Sequence, residues 1–320
     1  MSEPTHLLDR GLAFLSIMNW HRLTTLMFFL SAMGSGLMVE GEESEPLLSF
    51  SPVSVALVSE NNAISPGAPF TIGLHQTIAT GYHTYWRNPG TVGLATSIEW
   101  HLPPGFTASP IQWPTPQTSK MADYTVWAYK QEALLLTTMT PPKRISTDQV
   151  ITIEAKVSWM GCSRQCYPGF KELTIALPVN SESSPSPQWQ PRFQQVRNQQ
   201  PRSFPDWEIT TQRSDGRYVL SLKNVQTNQL IAARSLMFFG YQRQVSSAKG
   251  QTWEQVSDGY RGKLHHEEFG GEDRSMLKGI LVSDRPWHPD FPSSPMLIDV
   301  PVHNLAKAEQ SNDAPNGLLK

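Results

Sequence analysis

Short stretches in which apolar and polar residues alternate run through most of the chain, and they constrain its fold more than any other feature. A period of two places one face of an extended strand against a core, whereas an amphipathic helix needs a period near 3.6. Turn signals such as Pro103-Pro104-Gly105 separate the stretches, because proline fixes φ and glycine tolerates positive φ. The alternating stretches are 53–57, 70–74, 98–102, 151–159, 173–179, 207–209, 218–222, 236–239, 277–282 and 297–302. The pattern predicts an all-β protein and excludes a helical bundle.

The length of the chain predicts two β-sandwich domains. At about 100 to 200 residues per domain, 320 residues suffice for two cores. The alternation stops over 181–205, where Ser, Pro and Gln dominate, as is typical of a linker, here with a short helix near 192–198. The predicted domains are 50–180 and 206–303, followed by a loose tail over 304–320.

The first 41 residues have the layout of an N-terminal extension followed by a signal peptide. Met18 is the expected start, and a basic segment ending at Arg22 precedes the apolar residues 26–30 and the small residues 31–36, which is the order that a signal peptidase recognises. The alternative is an uncleaved membrane anchor, since about 17 residues separate Arg22 from Glu40, the lower edge of a spanning length. The segment predicts export to the periplasm or another extracytoplasmic space.

Charge and motifs exclude several partners and cofactors. The chain has 26 Lys and Arg against 28 Asp and Glu, for a formal net charge of −2, so nothing attracts a polyanion and no nucleic acid partner is expected. The sequence also lacks the glycine-rich loops that hold nucleotide phosphates. Nucleotide chemistry is therefore not expected.

The chain has two cysteines, Cys162 and Cys166, separated by three residues. In an oxidising compartment such thiols tend to pair, and a turn between them can bring their Cα atoms within about 4.4–6.8 Å. A closed loop of about five residues stabilises a fold by only roughly 2 kcal/mol, so the bond would be an inefficient staple. An exchangeable pair explains the spacing better, since strain in a tight ring raises its reduction potential. Arg164 and Lys171 nearby would favour the thiolate form.

Two other interpretations of the cysteine pair stay open on the residues alone. The bond can be a structural clip that only pins a hairpin. The pair can also bind Cu(I) or Zn together with a histidine such as His83, because these are soft ligands for both metals. The histidines are scattered without ligand spacing and the methionines do not cluster, so we expect neither a metal site nor a bound cofactor.

Three motifs in the first half of the chain occur in a fixed order. They are 81–90 (GYHTYWRNPG) followed by Gly93, 110–114 (PIQWP) followed by 121–124 (MADY) and Tyr129, and 157–168 (VSWMGCSRQCYP). Together they resemble the N-terminal periplasmic domain of the disulfide reductase DsbD and of its relative ScsB. The resemblance covers about 50–180 well. It extends more weakly to 236–240 and 277–282, which are similar to the companion β-domain of ScsB-like proteins.

The resemblance implies an immunoglobulin-like first domain with a redox role. In this family such a domain carries reducing equivalents from a membrane-embedded partner to periplasmic thiol proteins. Cys166 would then be the more exposed sulfur, which forms the mixed disulfide, and Cys162 would be the resolving partner.

The resemblance also implies a group of partner-binding or cap residues around the pair. His83 and Tyr85 would flank the disulfide, and Asp123 and Tyr124 would lie on a loop that caps it. Tyr167, next to the attacked sulfur, belongs to the same group. A cap keeps stray thiols away from a reactive bond until a docking partner moves it. Tyr85 also fits a sandwich core, and Asp123 also fits a solvated loop.

Three departures from the family pattern shape the functional prediction. The spacing between the cysteines fits the ScsB-like branch better than the DsbD branch, where the loop is longer. Tyr124 stands where an apolar aromatic residue is expected. The chain ends at Lys320 without a membrane-spanning bundle or a thioredoxin-like domain, so the electron source is expected in trans.

The sequence therefore predicts a periplasmic thiol:disulfide exchange module, a component of a thiol:disulfide oxidoreductase system. Its expected partners are a membrane disulfide reductase or thioredoxin-like protein and exported thiol proteins. The alternative is a periplasmic binding or adaptor protein in which the disulfide is only structural. The reduction potential of the pair separates the two, because an exchanging disulfide is easier to reduce than a structural one.

Overall fold

The structure is a computed structural model that describes most of the chain after the predicted signal peptide. The described residues are 51–226, 233–268, 270 and 275–304. The signal peptide predicted within residues 1–41 lies outside them, as does the predicted tail apart from its first residue, Asn304. No helix among the described residues has the length and apolar character needed to cross a membrane.

The first half of the described chain folds into antiparallel strands in three small sheets, with strand orders β1-β2-β8-β5, β10-β9-β4 and β3-β7-β6. The strands are β1 (Val53–Ser59), β2 (Phe70–Ile78), β3 (Thr84–Gly90), β4 (Ser97–His101), β5 (Thr107–Ala108), β6 (Gln117–Met121), β7 (Tyr124–Tyr129), β8 (Glu132–Thr140), β9 (Val150–Cys162) and β10 (Cys166–Pro178). The predicted all-β class is confirmed.

The core of this half explains the alternation seen in the sequence. Along β9, alternate side chains are buried, among them Ala155, Val157 and Trp159. They pack against Leu74 of β2 and Leu135 of β8, so the sheets containing β9 and β8 face each other as the two layers of a sandwich. Because β9 ends at Cys162, the cysteine pair lies at the end of this core.

Strand β8 is buried on both faces, which is why alternation does not mark it in the sequence. Leu135 faces the sandwich core, whereas Leu134 and Leu136 pack against Phe193. Phe193 belongs to α1 (Gln190–Asn198), which confirms the short helix predicted near 192–198. The helix thus covers the outer face of β8.

An ion pair holds α1 to the first half. Arg197 of the helix forms a two-pronged ion pair with the carboxylate of Glu60, and its Nη2 also donates to Oγ1 of Thr71 at 2.7 Å. Part of the segment predicted as a linker is therefore packed and bonded to the strands that precede it.

The second half of the described chain is a seven-stranded sheet with the order β13-β16-β17-β11-β12-β15-β14. Its pairings are antiparallel except for β11 with β17, which is parallel. The strands are β11 (Trp207–Ser214), β12 (Arg217–Asn224), β13 (Leu236–Gly240), β14 (Thr252–Val256), β15 (Gly259–His265), β16 (Met276–Ser283) and β17 (Met296–Asn304).

The two halves share an aromatic cluster. Phe239 of β13 lies edge-on to both Trp86 and Trp127, with ring centroids 6.1 and 5.6 Å apart. The guanidinium of Arg87 lies 4.3 Å from the ring centroid of Tyr241. Strand β3, which carries Trp86 and Arg87, is therefore supported from the second half of the chain. The domain boundaries drawn from the sequence stay predictions.

Candidate functional site

The longest hairpin of the protein ends in a disulfide. Strands β9 and β10 pair in continuous register from Val150 opposite Pro178 to Cys162 opposite Cys166. The cysteines are bonded to each other, with their Cα atoms 4.1 Å apart. The predicted pairing is confirmed, and its cause is the strand register, since directly opposed residues of an antiparallel pair bring their side chains together.

The two cysteines of the disulfide differ in exposure. Cys162 is fully buried, at 0% exposure, whereas Cys166 is only half-buried. The main chain explains the difference, because Cys162 forms an antiparallel bridge with His83 in which each N–H donates to the other carbonyl at 2.9 Å. Cys166 begins β10, which is an edge strand of its sheet. An attacking thiol therefore has better access to Cys166.

Tyr85 of β3 lies beside Cys166, the more exposed of the two cysteines. Its hydroxyl lies 4.0 Å from Sγ of Cys166, and burial raises the pKa of Tyr85 to about 12, so the phenol keeps its proton at neutral pH. Gly93 permits this placement, because it has a φ of +110° and a Cβ there would lie 2.3 Å from the Tyr85 ring. Only glycine fits both that backbone conformation and that close approach.

His83 flanks the pair from the buried side. Its ring meets the Tyr85 ring edge-on at 5.0 Å, and Oγ of Ser119 lies 3.2 Å from its Nδ1. Burial, with a smaller contribution from Lys130, lowers the pKa of His83 to about 4. The imidazole is therefore neutral at pH 7. Its buried Nε2 has no hydrogen-bond partner among the described residues.

The β6–β7 hairpin corresponds to the segment predicted to cap the disulfide. Its turn carries Asp123 and Tyr124, both exposed, and Tyr124 is 47% exposed. Met121, which pairs with Tyr124 across the turn, packs against the cluster formed by Tyr85 and Cys162. The residue of the 121–124 motif that packs against the cluster containing Cys162 is thus Met121, whereas the sequence analysis gave the cap role to Asp123 and Tyr124.

Tyr167 follows Cys166 in β10 and pairs with Gly161 of β9. Its ring approaches that of Tyr82 edge-on, with centroids 6.1 Å apart, and its hydroxyl donates to Oε1 of Gln165 at 3.2 Å. The side chain is half-buried. Tyr167 therefore borders the hairpin loop that an attacking partner would approach.

Sequence reasoning missed two further neighbours of the pair. Val92 packs against the Tyr85 and Cys162 cluster, and Ser119 contacts His83. Val92 could have been found from the sequence, because the motif over 81–90 continues to Gly93. Nothing in the local sequence marks Ser119. Across the described ranges, no group of three or more His, Cys, Asp or Glu side chains is arranged to hold a metal ion.

The fold and the site together define a class of protein: β-sandwich domains that carry one disulfide at the end of a hairpin, with one sulfur buried and the other accessible beside aromatic side chains. The sequence model of one family matches residues 54–178, and its description is "Thiol:disulfide interchange protein DsbD, N-terminal". Residues 54–178 therefore match a DsbD-type N-terminal domain, and the resemblance read from the three motifs is confirmed.

Solved structures extend the comparison. The crystal structure of the N-terminal periplasmic domain of ScsB from Proteus mirabilis is similar over 81% of this chain and 96% of that chain, with a TM-score of 0.57 at 14% identity. The reduced N-terminal domain of DsbD from Neisseria meningitidis aligns with 41% of this chain and 91% of that chain, with a TM-score of 0.25 at 15% identity. No curated protein matches the sequence. The ScsB match reaches beyond 54–178, so the shared fold includes part of the second half.

Proposed function

We propose that this protein is an extracytoplasmic thiol:disulfide exchange module. It passes reducing equivalents from a membrane disulfide reductase or thioredoxin-like protein, supplied in trans, to exported thiol proteins. The observation that carries the proposal is the unequal exposure of Cys162 and Cys166 in a domain of the DsbD type. The periplasmic origin of the similar ScsB domain and the predicted signal peptide support the location.

Loading of the module begins at the accessible sulfur. A thiolate of the reduced partner attacks Sγ of Cys166, the Cys162–Cys166 bond breaks, and Cys162 leaves as a thiolate that takes up a proton. A second thiolate of the partner then attacks the partner's sulfur atom in the mixed disulfide and releases Cys166 as a thiolate. Two electrons enter the module, and the partner leaves oxidised.

Unloading reverses the roles. The Cys166 thiolate attacks a disulfide of an exported protein and forms a mixed disulfide, which releases one substrate thiolate. Cys162 then attacks Sγ of Cys166, restores the disulfide seen in the structure and releases the second substrate thiolate. Burial suits Cys162 to this second step, because an intramolecular attack needs no access from solvent.

The neighbouring side chains fit this chemistry. The protonated hydroxyl of Tyr85, 4.0 Å from Cys166, can donate to the thiolate that forms there. The exposed Arg164 in the hairpin loop adds positive charge on the solvent side, which also favours the thiolate. Charge and hydrogen bonding therefore support exchange at Cys166.

Trapping tests the assignment of roles. Cys162→Ala leaves the accessible thiol without its resolving partner, so it should accumulate mixed disulfides with partner proteins in cells that make the exported chain. The matched control, Cys166→Ala, keeps only the buried sulfur and should accumulate few. Recovery of no membrane thiol protein with Cys162→Ala would count against the membrane partner.

The reduction potential tests the function itself. Equilibration of the oxidised chain against glutathione or thioredoxin should give a potential within about −120 to −270 mV, the range of exchange proteins. A potential below about −300 mV is typical of structural disulfides. That result would favour the adaptor alternative, in which the bond only pins the hairpin.

A further inference from the structure

Ser247, in the second half of the chain, bonds to two segments that both contribute residues to the cluster around Cys162 and Cys166. Its buried hydroxyl accepts a hydrogen bond from the backbone N–H of Thr91 at 2.9 Å and donates to the carbonyl of Thr125 at 2.7 Å. Gly90 makes room for it, since a Cβ at that position would lie 2.1 Å from Oγ of Ser247. This one side chain therefore joins the loop after β3 to Thr125, the second residue of β7.

The first segment leads from Thr91 to the exposed sulfur. Val92 packs against the cluster around the pair, and Gly93 lies directly against the ring of Tyr85. The hydroxyl of Tyr85 in turn lies 4.0 Å from Sγ of Cys166. Displacement of Thr91 would therefore loosen the packing of Val92 and Gly93 next to Tyr85 and Cys166.

The second segment leads from Thr125 to the cap. Thr125 directly follows Tyr124 and pairs with Lys120 across the β6–β7 hairpin, and Nζ of Lys120 donates to Oγ1 of Thr125 at 2.8 Å. The next residue toward the turn, Met121, packs on the cluster that contains Cys162. Ser247 therefore holds the β6–β7 hairpin next to its turn, one position from Met121.

The buried side chain of Glu267 adds a further hydrogen bond to the loop after β3. Oγ1 of Thr91 donates to Oε2 of Glu267 at 2.7 Å, and Glu267 is itself buried. Close by, Nδ2 of Asn88 donates to the carbonyls of Gly240 and Gln242 at 2.8 and 2.9 Å. Buried polar groups that lose a partner are costly, so these bonds favour one fixed arrangement of the loop.

We infer that Ser247 is a positioning residue through which the second half of the chain keeps the β6–β7 hairpin packed against the cluster that contains Cys162 and Cys166. The inference rests on the proposed function, because it gives the second half a task in controlling access to Cys166. Ser247 acts through Thr91 and Thr125 and does not touch the sulfur atoms.

The test compares Ser247→Ala with Ser246→Ala in the whole oxidised chain. Ser246 is the matched control, because it is also a buried serine but its hydroxyl accepts from the backbone N–H of Lys249, away from the cap. Hydrogen exchange of amides in 117–129 reports opening of the cap without any redox step. The rate of disulfide reduction by dithiothreitol reports access to Cys166, and the melting temperature reports global stability.

Ser247→Ala is expected to speed hydrogen exchange over 117–129 and reduction by dithiothreitol by about fivefold or more each, because the hydroxyl makes two hydrogen bonds and loss of a single one has about a fivefold effect. Ser246→Ala should leave both rates near those of the wild type at a similar melting temperature. Unchanged exchange over 117–129 in Ser247→Ala, or equal acceleration in both variants, would overturn the inference. Faster hydrogen exchange over 117–129 in Ser247→Ala, together with a disulfide that resists reduction in both wild type and variant, would support the positioning role of Ser247 and refute the proposed exchange function.

Discussion

The Tyr85 hydroxyl lies 4.0 Å from Sγ of Cys166, at the limit of a hydrogen bond to sulfur, while the rest of the tyrosine is buried. The phenol is protonated at neutral pH, as any tyrosine with a pKa near 10 is, and burial raises the pKa of Tyr85 further, to about 12. When the disulfide opens, this hydroxyl is positioned to donate to the sulfur of Cys166. Tyr85 is thus placed to stabilise the reduced form of the pair.

Replacement of Tyr85 by Phe should slow the reaction of reduced Cys166 with iodoacetamide at pH 7 by about threefold to tenfold. Loss of a hydrogen bond to a charged group lowers the fraction of the sulfur present as thiolate, and the thiolate is the nucleophile. The ring and its packing on Gly93 are kept, so the fold should be unaffected. The measurement is the alkylation rate of Cys162→Ala with and without Tyr85→Phe. Identical rates would show that the hydroxyl does not act on the sulfur.

Met121 should shield the disulfide more than Tyr124 does. Met121→Ala removes a side chain that packs against the cluster containing Cys162, so we expect reduction of the disulfide by dithiothreitol to accelerate about tenfold. Tyr124→Ala removes a side chain that is 47% exposed and should change this rate less than twofold. Stopped samples analysed by thiol alkylation and mass give both rates. The reverse order would restore Tyr124 as the shielding residue of the cap.

The neutral, buried His83 should make the protein less stable in acid. Burial, followed by the charge of Lys130, lowers the pKa of His83 from 6.5 to about 4. Between these values the unfolded chain binds the proton and the folded protein does not, so the free energy of unfolding falls as pH drops from about 7 to about 4. His83→Gln should show a smaller loss of stability over that interval. Urea denaturation at pH 7.5 and pH 4.5 measures both proteins, and an equal loss in the two would refute the assignment.

Phe239 tests whether the two halves unfold together. Its ring lies against Trp86 and Trp127 of the first half, and truncation of a buried phenylalanine typically costs about 3–5 kcal/mol. Phe239→Ala should therefore lower the unfolding midpoint of strands in both halves in one shared transition. Hydrogen exchange of 151–159 follows the first half, and hydrogen exchange of 218–222 follows the second. A stable first half beside an unfolded second half would show that the two are independent domains.

Much of the fold was predictable because it follows from local patterns. The alternation along 151–159 predicted β9, and burial of Ala155, Val157 and Trp159 confirms the face that it predicted. Strand β8 was not predicted, because α1 covers Leu134 and Leu136 and so removes the alternation that a half-exposed strand would show. The roles of His83, Tyr85, Asp123, Tyr124 and Tyr167 stay predictions.

The sequence by itself determined the all-β class, the cysteine pair and the family of the first half, because strand period, turn chemistry and motif order are properties of neighbouring residues. Only the tertiary structure decided why Cys162 is the buried sulfur, which residue of the β6–β7 hairpin packs against its cluster and what the second half contacts. These depend on pairs that are far apart in the chain, such as Thr91 and Ser247, which are 156 positions apart. Burial and hydrogen bonding across such distances arise from the packing of whole sheets, which no local pattern records.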